Sequence, residues 1–277
     1  MKIVVLGSGT SSGVPVIGCS CKVCSSNDPK DKRLRSSIYI ILDKTDVTDN
    51  DSPRHILIDV GPDFREQALR YKIDKIDAIF FTHAHADHIF GLDDIRMFNF
   101  IQKKSIPVYA EEQTSKDLLR IFGYCFQKNP KYEGGGVPNL NLNIISDGDI
   151  IKFGSTEIKA LRAYHGSLPV LGYKINKFAY LTDCSIIPED TSKEIDKITH
   201  LILDGLRHRP HKTHLTIEKA IEFVLSKKNP PRTYLTHLSH EVSHVQTDNE
   251  IYKKTNGKVS LAYDGLACII HETPLCS

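Results

Sequence analysis

The stretch Ile79-Phe80-Phe81-Thr82-His83-Ala84-His85-Ala86-Asp87-His88 runs an apolar strand directly into three imidazoles and a carboxylate. If the chain stays extended just past the strand, His83 and His85 project to the same side, because side chains alternate with period two. Asp87 and His88 then fall where the backbone turns into a helix, aimed at a second, neighbouring point. Small alanines fill the gaps, which a merely decorated turn does not require. The spacing therefore builds two adjacent metal sites. It differs from the helical H-E-x-x-H zinc pattern, whose imidazoles need i, i+4 geometry.

Four side chains cannot complete two metal sites, so the rest of the chain has to supply at least two more imidazoles and preferably a bridging carboxylate. Mixed scaffolds present functional groups at strand ends. His165 follows the apolar run Ala160–Tyr164, Asp183 follows Ala179–Leu181 and His237 follows Tyr234–Leu235, each repeating the placement of His83. Elsewhere, Cys19-Ser20-Cys21-Lys22-Val23-Cys24 packs three of the seven cysteines into six residues. An odd cysteine count with no export signal argues for metal binding over a disulfide framework. A redox Cys-x-x-Cys is the rival reading of Cys21 and Cys24, opposed by the third cysteine and by the lack of a thioredoxin-like opening. Cys125, Cys184, Cys268 and Cys276 read as plain thiols.

The 277 residues carry 36 Lys+Arg against 34 Asp+Glu, a formal charge of +2, with 25% charged and 40% hydrophobic. That composition excludes disorder, and surface scaling lets roughly 73% of the extended chain's area be buried. Near-neutral charge opposes broad electrostatic attachment to nucleic acid or to a membrane surface, so any phosphate recognition has to be concentrated at a site. No apolar run reaches the ~20 residues of a membrane span, and a cytoplasmic location is expected.

Strand-length apolar runs are expected at Ile3–Leu6, Ile38–Leu42, Ile56–Ile58, Ile76–Phe81, Val108–Ala110, Ile158–Tyr164, Phe178–Leu181, Leu201–Leu203, Thr233–Leu235, Val259–Tyr263 and Ala267–Ile270. Gly154-Ser155 and Asp264-Gly265 are expected to close hairpins. Helical periodicity marks Asp63–Tyr71, Thr114–Phe126, Pro188–Ile198 and Thr216–Leu225. This mixture predicts an α/β (α+β) architecture, two sheets with helices outside. Polar stretches at Asp43–Arg54 and Gln127–Asn139 read as surface insertions, and with no internal repeat or compositional shift residues 1–277 are read as a single domain. Gly7, Gly9 and Gly13 miss the dinucleotide-binding spacing G-x-G-x-x-G and are expected instead to let backbone pass close beside the metal centre.

Thr82-His83-Ala84-His85-Ala86-Asp87-His88 matches the H-x-H-x-D-H signature, and the chain resembles the metallo-β-lactamase-fold family from Met1 to about His271. The resemblance implies a four-layer αββα sandwich with two divalent ions at one edge of its sheets. His83, His85 and His165 would hold one ion, Asp87, His88 and His237 the other, and Asp183 would bridge them, with a water between as nucleophile. It also implies that Asp59, after the strand His55–Ile58, orients a ligand imidazole, although Asp serves turns as well. Within the family, the segment from Gly7 to Cys24 is similar to phosphoribosyl cyclic phosphate phosphodiesterases of the carbon–phosphorus lyase pathway. There three cysteines bind structural zinc together with a His three residues after the last active-site His, as in Thr236-His237-Leu238-Ser239-His240. Cys19, Cys21, Cys24 and His240 then make a closed Cys3His set around the 19–24 loop, with no position left open for chemistry.

His214 ends the basic segment Asp204–His214 and falls where the family places a non-ligand His that acts as general acid or stabilises the transition state. Expelling an alkoxide from a phosphodiester needs such a proton or charge compensation. His208 and His211 are alternatives in the same segment, and Arg33 and Arg35 are compatible with either a phosphate contact or a solvated face.

These readings predict a dinuclear metal-dependent phosphodiesterase of small diesters, cyclic ones foremost, with Asp87 and His214 in the chemistry. Zinc, manganese or iron suits the catalytic pair and zinc the structural site. The expected partner is a small phosphodiester, with no nucleic acid and no membrane, and the resemblance implies a homodimer. The rivals are a tRNA 3′-processing-like endoribonuclease, opposed by an insertion at 127–139 too short for a tRNA-gripping arm, and a non-catalytic metal-binding protein.

Overall fold

The computed structural model describes residues 1–43, 55–127 and 136–270, so most of the two polar stretches, and Cys276, lie outside the described residues. The chain first builds β1 (Lys2–Gly7), β2 (Ser37–Ile41), β3 (His55–Ile58), α1 (Phe64–Arg70), β4 (Ala78–Phe80), α2 (Ala86–Ile89), α3 (Arg96–Gln102), β5 (Ile106–Ala110), α4 (Glu112–Phe122) and β6 (Leu140–Ile144). It then builds β7 (Ile150–Phe153), β8 (Thr156–His165), β9 (Leu168–Ile175), β10 (Phe178–Leu181), α5 (Glu189–Ile195), β11 (His200–Asp204), α6 (Ile217–Leu225), β12 (Arg232–Thr236), α7 (His244–Lys254), β13 (Val259–Leu261) and β14 (Ala267–Ile269).

The strands form two seven-stranded sheets, β14-β1-β2-β3-β4-β5-β6 and β13-β12-β11-β10-β9-β8-β7. Both sheets have the same grammar. In the first, the β14/β1, β1/β2 and β2/β3 pairs are antiparallel and the pairs from β3 to β6 parallel. In the second, β7 to β10 pair antiparallel and β10 to β13 parallel. Nothing in the sequence repeats to announce this.

Period-two alternation divides each strand between layers. Ile56 and Ile58 of β3 join Ile3, Ile38, Phe80, Tyr173, Tyr180 and Ile202 in the core between the sheets. Leu57, one residue along, packs instead with Ile79, Val108, Leu118 and Phe98 beneath the outer helices of the first sheet. Leu181, Leu203 and Leu235 do the same for Ala220, Val224 and Ile251 on the second. The result is the expected four-layer αββα sandwich. Among the described residues no helix is long and apolar enough to cross a membrane.

Most expected elements are present within a few residues, and Gly154-Ser155 does join β7 to β8. Thr216 caps α6 by accepting a hydrogen bond from the Lys219 amide. The sequence patterns miss β6, β7 and β9, because Leu140–Ile144 alternates Leu with Asn, Ile150–Phe153 is short, and β9 carries Pro169 and Gly172, which read as breakers. They also miss α3 and α7, both rich in polar residues. Asp264-Gly265 closes no hairpin: β13 and β14 belong to different sheets, and this turn carries the chain across. Asp264 is held there by hydrogen bonds from Ser8 and from the Leu34 amide.

The short helix α2 is docked by backbone. The Val60 amide donates to the His88 carbonyl at 2.7 Å and the Gly91 amide to the Val60 carbonyl at 2.9 Å. A Cβ on Gly61 would stand 2.1 Å from the Asp87 carbonyl oxygen, so only glycine lets the turn after β3 touch α2. Gly61→Ala should therefore cost about 1–3 kcal/mol through overpacking, seen as a lower melting temperature. Because the displaced carbonyl belongs to Asp87, metal retained after dialysis should fall as well. An unchanged melting curve with full metal content would show that the turn yields freely.

Candidate metal centre

Every sequence-predicted residue of the main cluster lies at the C-terminal end of a strand or in the loop or short helix that follows. Asp59 follows β3, His83, His85, Asp87 and His88 follow β4, His165 ends β8, Asp183 follows β10, and His237 follows β12. Asp59, Asp183 and His237 have φ of 63°, 52° and 60°. This left-handed conformation costs an L-residue roughly 1–2 kcal/mol and turns the chain sharply out of the strand. Lys72, Lys103, Asn176 and Asn256 adopt it at turns elsewhere, but at these three positions it turns side chains toward one cluster.

The ligating atoms of His83, His85 and His165 lie within 4.8 Å of one another, and so do those of Asp87, His88, Asp183 and His237. The two groups touch: the His83 and His88 rings are 4.3 Å apart between centroids. Asp183 reaches both imidazoles of the second group, with its carboxylate 3.2 Å from His88 Nε2 and 3.1 Å from His237 Nε2. Asp87 stands 3.3 Å from His88 Nε2 and 3.6 Å from His237 Nε2. His85 is the exposed member, and the others are buried or nearly so.

Hydrogen bonds set the imidazole tautomers. His88 Nδ1 donates to Asp59 Oδ2 at 2.8 Å. The same carboxylate accepts from the Thr82 amide and hydroxyl, each at 2.9 Å, so the Thr82 oxygen is free to accept from His83 Nδ1 at 3.0 Å. His165 Nδ1 donates to the Thr213 carbonyl at 2.7 Å. In all three rings the proton sits on Nδ1, and the lone pair of Nε2 faces the cluster, which is the arrangement of imidazoles prepared for a metal. His83 Nε2, His88 Nε2 and both ring nitrogens of His237 are buried without a hydrogen-bond partner. Orphaned buried groups cost about 1–3 kcal/mol each, and a cation at the shared point would satisfy those that face it. The approaches of Asp87 and Asp183 to these nitrogens are charge contacts without hydrogen-bond geometry, as expected where carboxylates and imidazoles converge on a common ion. The donor set therefore fits divalent metal.

Charge follows the same plan. Burial opposes ionisation of His88, yet Asp183, Asp59 and Asp87 outweigh it and hold its pKa well above the ordinary value. Burial, with the neighbouring His88 and His85 imidazoles adding to it, carries His83 well below. Burial would raise the Asp87 and Asp183 carboxyls, but the surrounding imidazoles hold both low, whereas Asp59 is raised by burial.

His214 closes the cluster: a ring nitrogen lies within 4.8 Å of ligating atoms of His165 and Asp183, and one does so with Asp204 and His237. Its ring centroid is 4.5 Å from that of His165 and 4.7 Å from that of His237. Its Nδ1 donates to Asp204 Oδ2 at 2.8 Å, which leaves Nε2 as the nitrogen open to a substrate. Asp204 ends β11 just as Asp183 closes β10, a placement legible in the sequence but not singled out there. Thr82 and Thr213 carry no sequence signal, because their parts depend on contacts across the sheets.

The other candidates separate. His211 approaches His214 at 5.0 Å between centroids, while His208 pairs with Glu218 at the surface. Arg33 meets neither phosphate nor water: it is fully buried, paired with Asp31 and donating to the Ser239 and Val242 carbonyls. Arg35 is tied to Asp63. Gly7 and Gly9 make their close approaches to the backbone of Arg33–Arg35 rather than to the centre, although Gly9 and Thr10 do border Leu238, the residue after His237.

Some way off, the Cys19, Cys21 and Cys24 sulfurs lie 3.3, 3.6 and 3.6 Å from His240 Nδ1. The Cys24 amide donates to the Cys21 sulfur and the Val16 amide to the Cys24 sulfur, bonds that suit thiolates. The bond from Cys24 leads in bringing the Cys21 thiol down to about 6. Four donors lie within 4.8 Å of one another, with no further member of the group among the described residues, which suits a closed tetrahedral site and again fits metal.

Two tests follow from this geometry. Asp59→Asn removes the acceptor that fixes His88 and, through Thr82, His83, and should weaken metal binding about 10- to 100-fold in chelator competition. Cys21→Ser should lower the melting temperature by several degrees, each kcal/mol being worth about 2–4 °C at this size, and should remove one metal equivalent while leaving the main cluster loaded. Equal melting temperatures would contradict a structural site.

The β-lactamase superfamily domain model matches residues 54–238. A curated octanoyltransferase of Porphyromonas gingivalis is 40% identical over 273 residues, 98% of this chain but 52% of that protein, so the chain spans about half the length of that relative. Among solved structures, a diphosphatase from the PhnP family is 39% identical with a TM-score of 0.83, covering 96% of each chain. Zinc-bound PqqB from Methylobacterium extorquens shares the fold at 19% identity and a TM-score of 0.75, covering 98% of this chain and all of its own. With the signature, the sandwich and the convergent donor set in agreement, the chain belongs to the β-lactamase superfamily, with the metallo-β-lactamase fold and similarity to a PhnP-family diphosphatase.

Proposed function

We propose that this chain hydrolyses small phosphodiesters, cyclic ones foremost, at two divalent ions held by His83, His85, His165, Asp87, His88, His237 and a bridging Asp183. The observation that carries this reading is the place of His214, in ring contact with both halves of the donor set yet committed through Nδ1 to Asp204. Two ions would supply Lewis acidity and a nucleophile available at neutral pH. The protein's part is then definite. Asp59 and Thr82 hold the imidazoles in direction, and the buried walls exclude bulk water from the phosphorus. His214, protonated on both nitrogens, gives its Nε2 proton to the departing ester oxygen, and Asp204 offsets the charge on the ring.

The size of the openings supports a small substrate. One cleft of about 230 Å³ is lined by Thr10, Ser12, Arg207, His211 and His214, and another of about 270 Å³ by His85, Gln113, Thr114 and Leu168. Both fall below the ~300–1,000 Å³ of ordinary small-ligand pockets, and net charge of +2 offers little general attraction for a polynucleotide. Acyl transfer finds less support. It needs a reactive carrier group, and the thiol beside the cluster, Cys184, is fully buried and pushed well up by that burial.

With zinc or manganese supplied, the protein should hydrolyse 2′,3′-cyclic nucleotides and bis-p-nitrophenyl phosphate. His88→Ala should abolish turnover with folding retained, and His214→Ala should lower kcat by about 10²–10⁴ with metal content intact. Far faster cleavage of precursor tRNA would favour the endoribonuclease reading, and faster cleavage of a diphosphate link would move the substrate toward that of the diphosphatase neighbour. No turnover with any diester under either metal would leave a metal-binding protein.

A further inference from the structure

We infer that Glu241 is a positioning residue, through which the Cys3His site holds the loop that carries His214. The connection runs through consecutive residues. His237 belongs to the main cluster, the Leu238 amide donates to the Ser8 carbonyl, and the Ser239 amide donates to the Leu206 carbonyl at 2.9 Å. His240 faces the three cysteines, and Glu241 reaches the 205–214 loop. Its Oε1 accepts from Arg207 Nη1 at 2.8 Å and from Arg209 Nη2 at 2.7 Å, and its Oε2 accepts from Arg209 Nε at 2.8 Å. One carboxylate thereby grips two arginines of the segment between Asp204 and His214.

The grip matters because the middle of the loop, from Arg209 to Lys212, has few other anchors. The Leu206 amide donates to Leu215, the Leu215 amide to Cys184, and the Ile217 amide to Arg207, so both ends are pinned. Arg209 to Lys212 between them are exposed. Along that span the side-chain bonds run from Arg209 to Glu241 and from His211 to the neighbouring Thr213. His211 and Thr213 border His214 and His165, so slack in the loop would reach the imidazole that serves the leaving group and the carbonyl that orients a ligand. Glu241 is itself placed by His240 on one side and, on the other, by Arg33, whose guanidinium binds the carbonyls of Ser239 and Val242. A cation among Cys19, Cys21, Cys24 and His240 would fix the same hairpin of backbone. Fold stability gains little from such solvent-screened ion pairs, so their effect is on geometry. Displacing a catalytic group by about 1 Å costs up to a hundredfold in rate.

The test measures hydrogen exchange across residues 205–214 in the metal-loaded protein, together with turnover of bis-p-nitrophenyl phosphate. Glu241→Gln should speed exchange in that segment while leaving the strands of both sheets protected, the melting temperature nearly unchanged and the main cluster's metal content intact. Turnover should fall about 10- to 100-fold in kcat with little change in KM. Cys21→Ser should produce the same local exchange, and the double variant should be no worse than Cys21→Ser alone, because both changes cut one connection. Wild-type exchange at 205–214 in Glu241→Gln, or effects of the two changes that simply multiply, would overturn the inference. The kinetic arm rests on the hydrolase reading above. If the wild-type protein turns over no diester, that reading fails while the exchange arm still decides the role of Glu241.

Discussion

A carboxylate with no exposure, Asp59, accepts hydrogen bonds from the Thr82 amide, the Thr82 hydroxyl and His88 Nδ1, and the direction of the metal cluster follows from it. Burying an ionisable group without partners is expensive, and here the donors that satisfy it are also the groups that aim His83 and His88. The positive φ of Asp59 brings its side chain off the end of β3 toward the loop after β4, and the glycine contact at Gly61 keeps α2 close enough for His88 to reach it. Backbone strain, a tight turn and a buried charge thus serve a single geometry. Each is unfavourable alone and tolerated because the convergence requires it.

The two sheets contribute unequally. The first brings the His83–His88 run and its orienting carboxylate. The second brings His165, Asp183 and His237, and behind them the Asp204–His214 pair. Since both sheets follow the same sequence of antiparallel and then parallel pairings, the ends of their central strands emerge at one edge of the sandwich. The ligands there span 155 residues of the chain, from His83 to His237, and the core between the sheets fixes their distance. A cavity in that core near Phe80 or Tyr180 would be felt at the cluster as displaced ligands rather than as lost chemistry.

Beside this edge lies a second centre of organisation, the segment from His237 to Val242. Its side chains and carbonyls meet the main cluster, the glycine-bearing loop after β1, the Cys3His site, the 205–214 loop and the guanidinium of Arg33 in turn. Arg33 is fully buried, and the cost is offset by Asp31 and by the Ser239 and Val242 carbonyls that accept from its guanidinium.

The sequence alone carried most of the site. His83, His85, Asp87 and His88 are recognisable because ligands on one short loop need a fixed local spacing, and His165, Asp183 and His237 because a polar residue closing an apolar strand is a local pattern. The fold class followed from the alternation of strands and helices. What the sequence did not contain was anything fixed by contact between distant segments. Asp204 needed His214 beside it, Thr82 and Thr213 needed the rings they orient, and β9 needed its neighbours to override Pro169 and Gly172. Arg33 is the sharpest case, since the same residue in the same string faces water, phosphate or a protein carbonyl according to what the tertiary structure places against it. Local spacing is written in covalent order, whereas burial and partnership exist only once the two sheets have closed on each other.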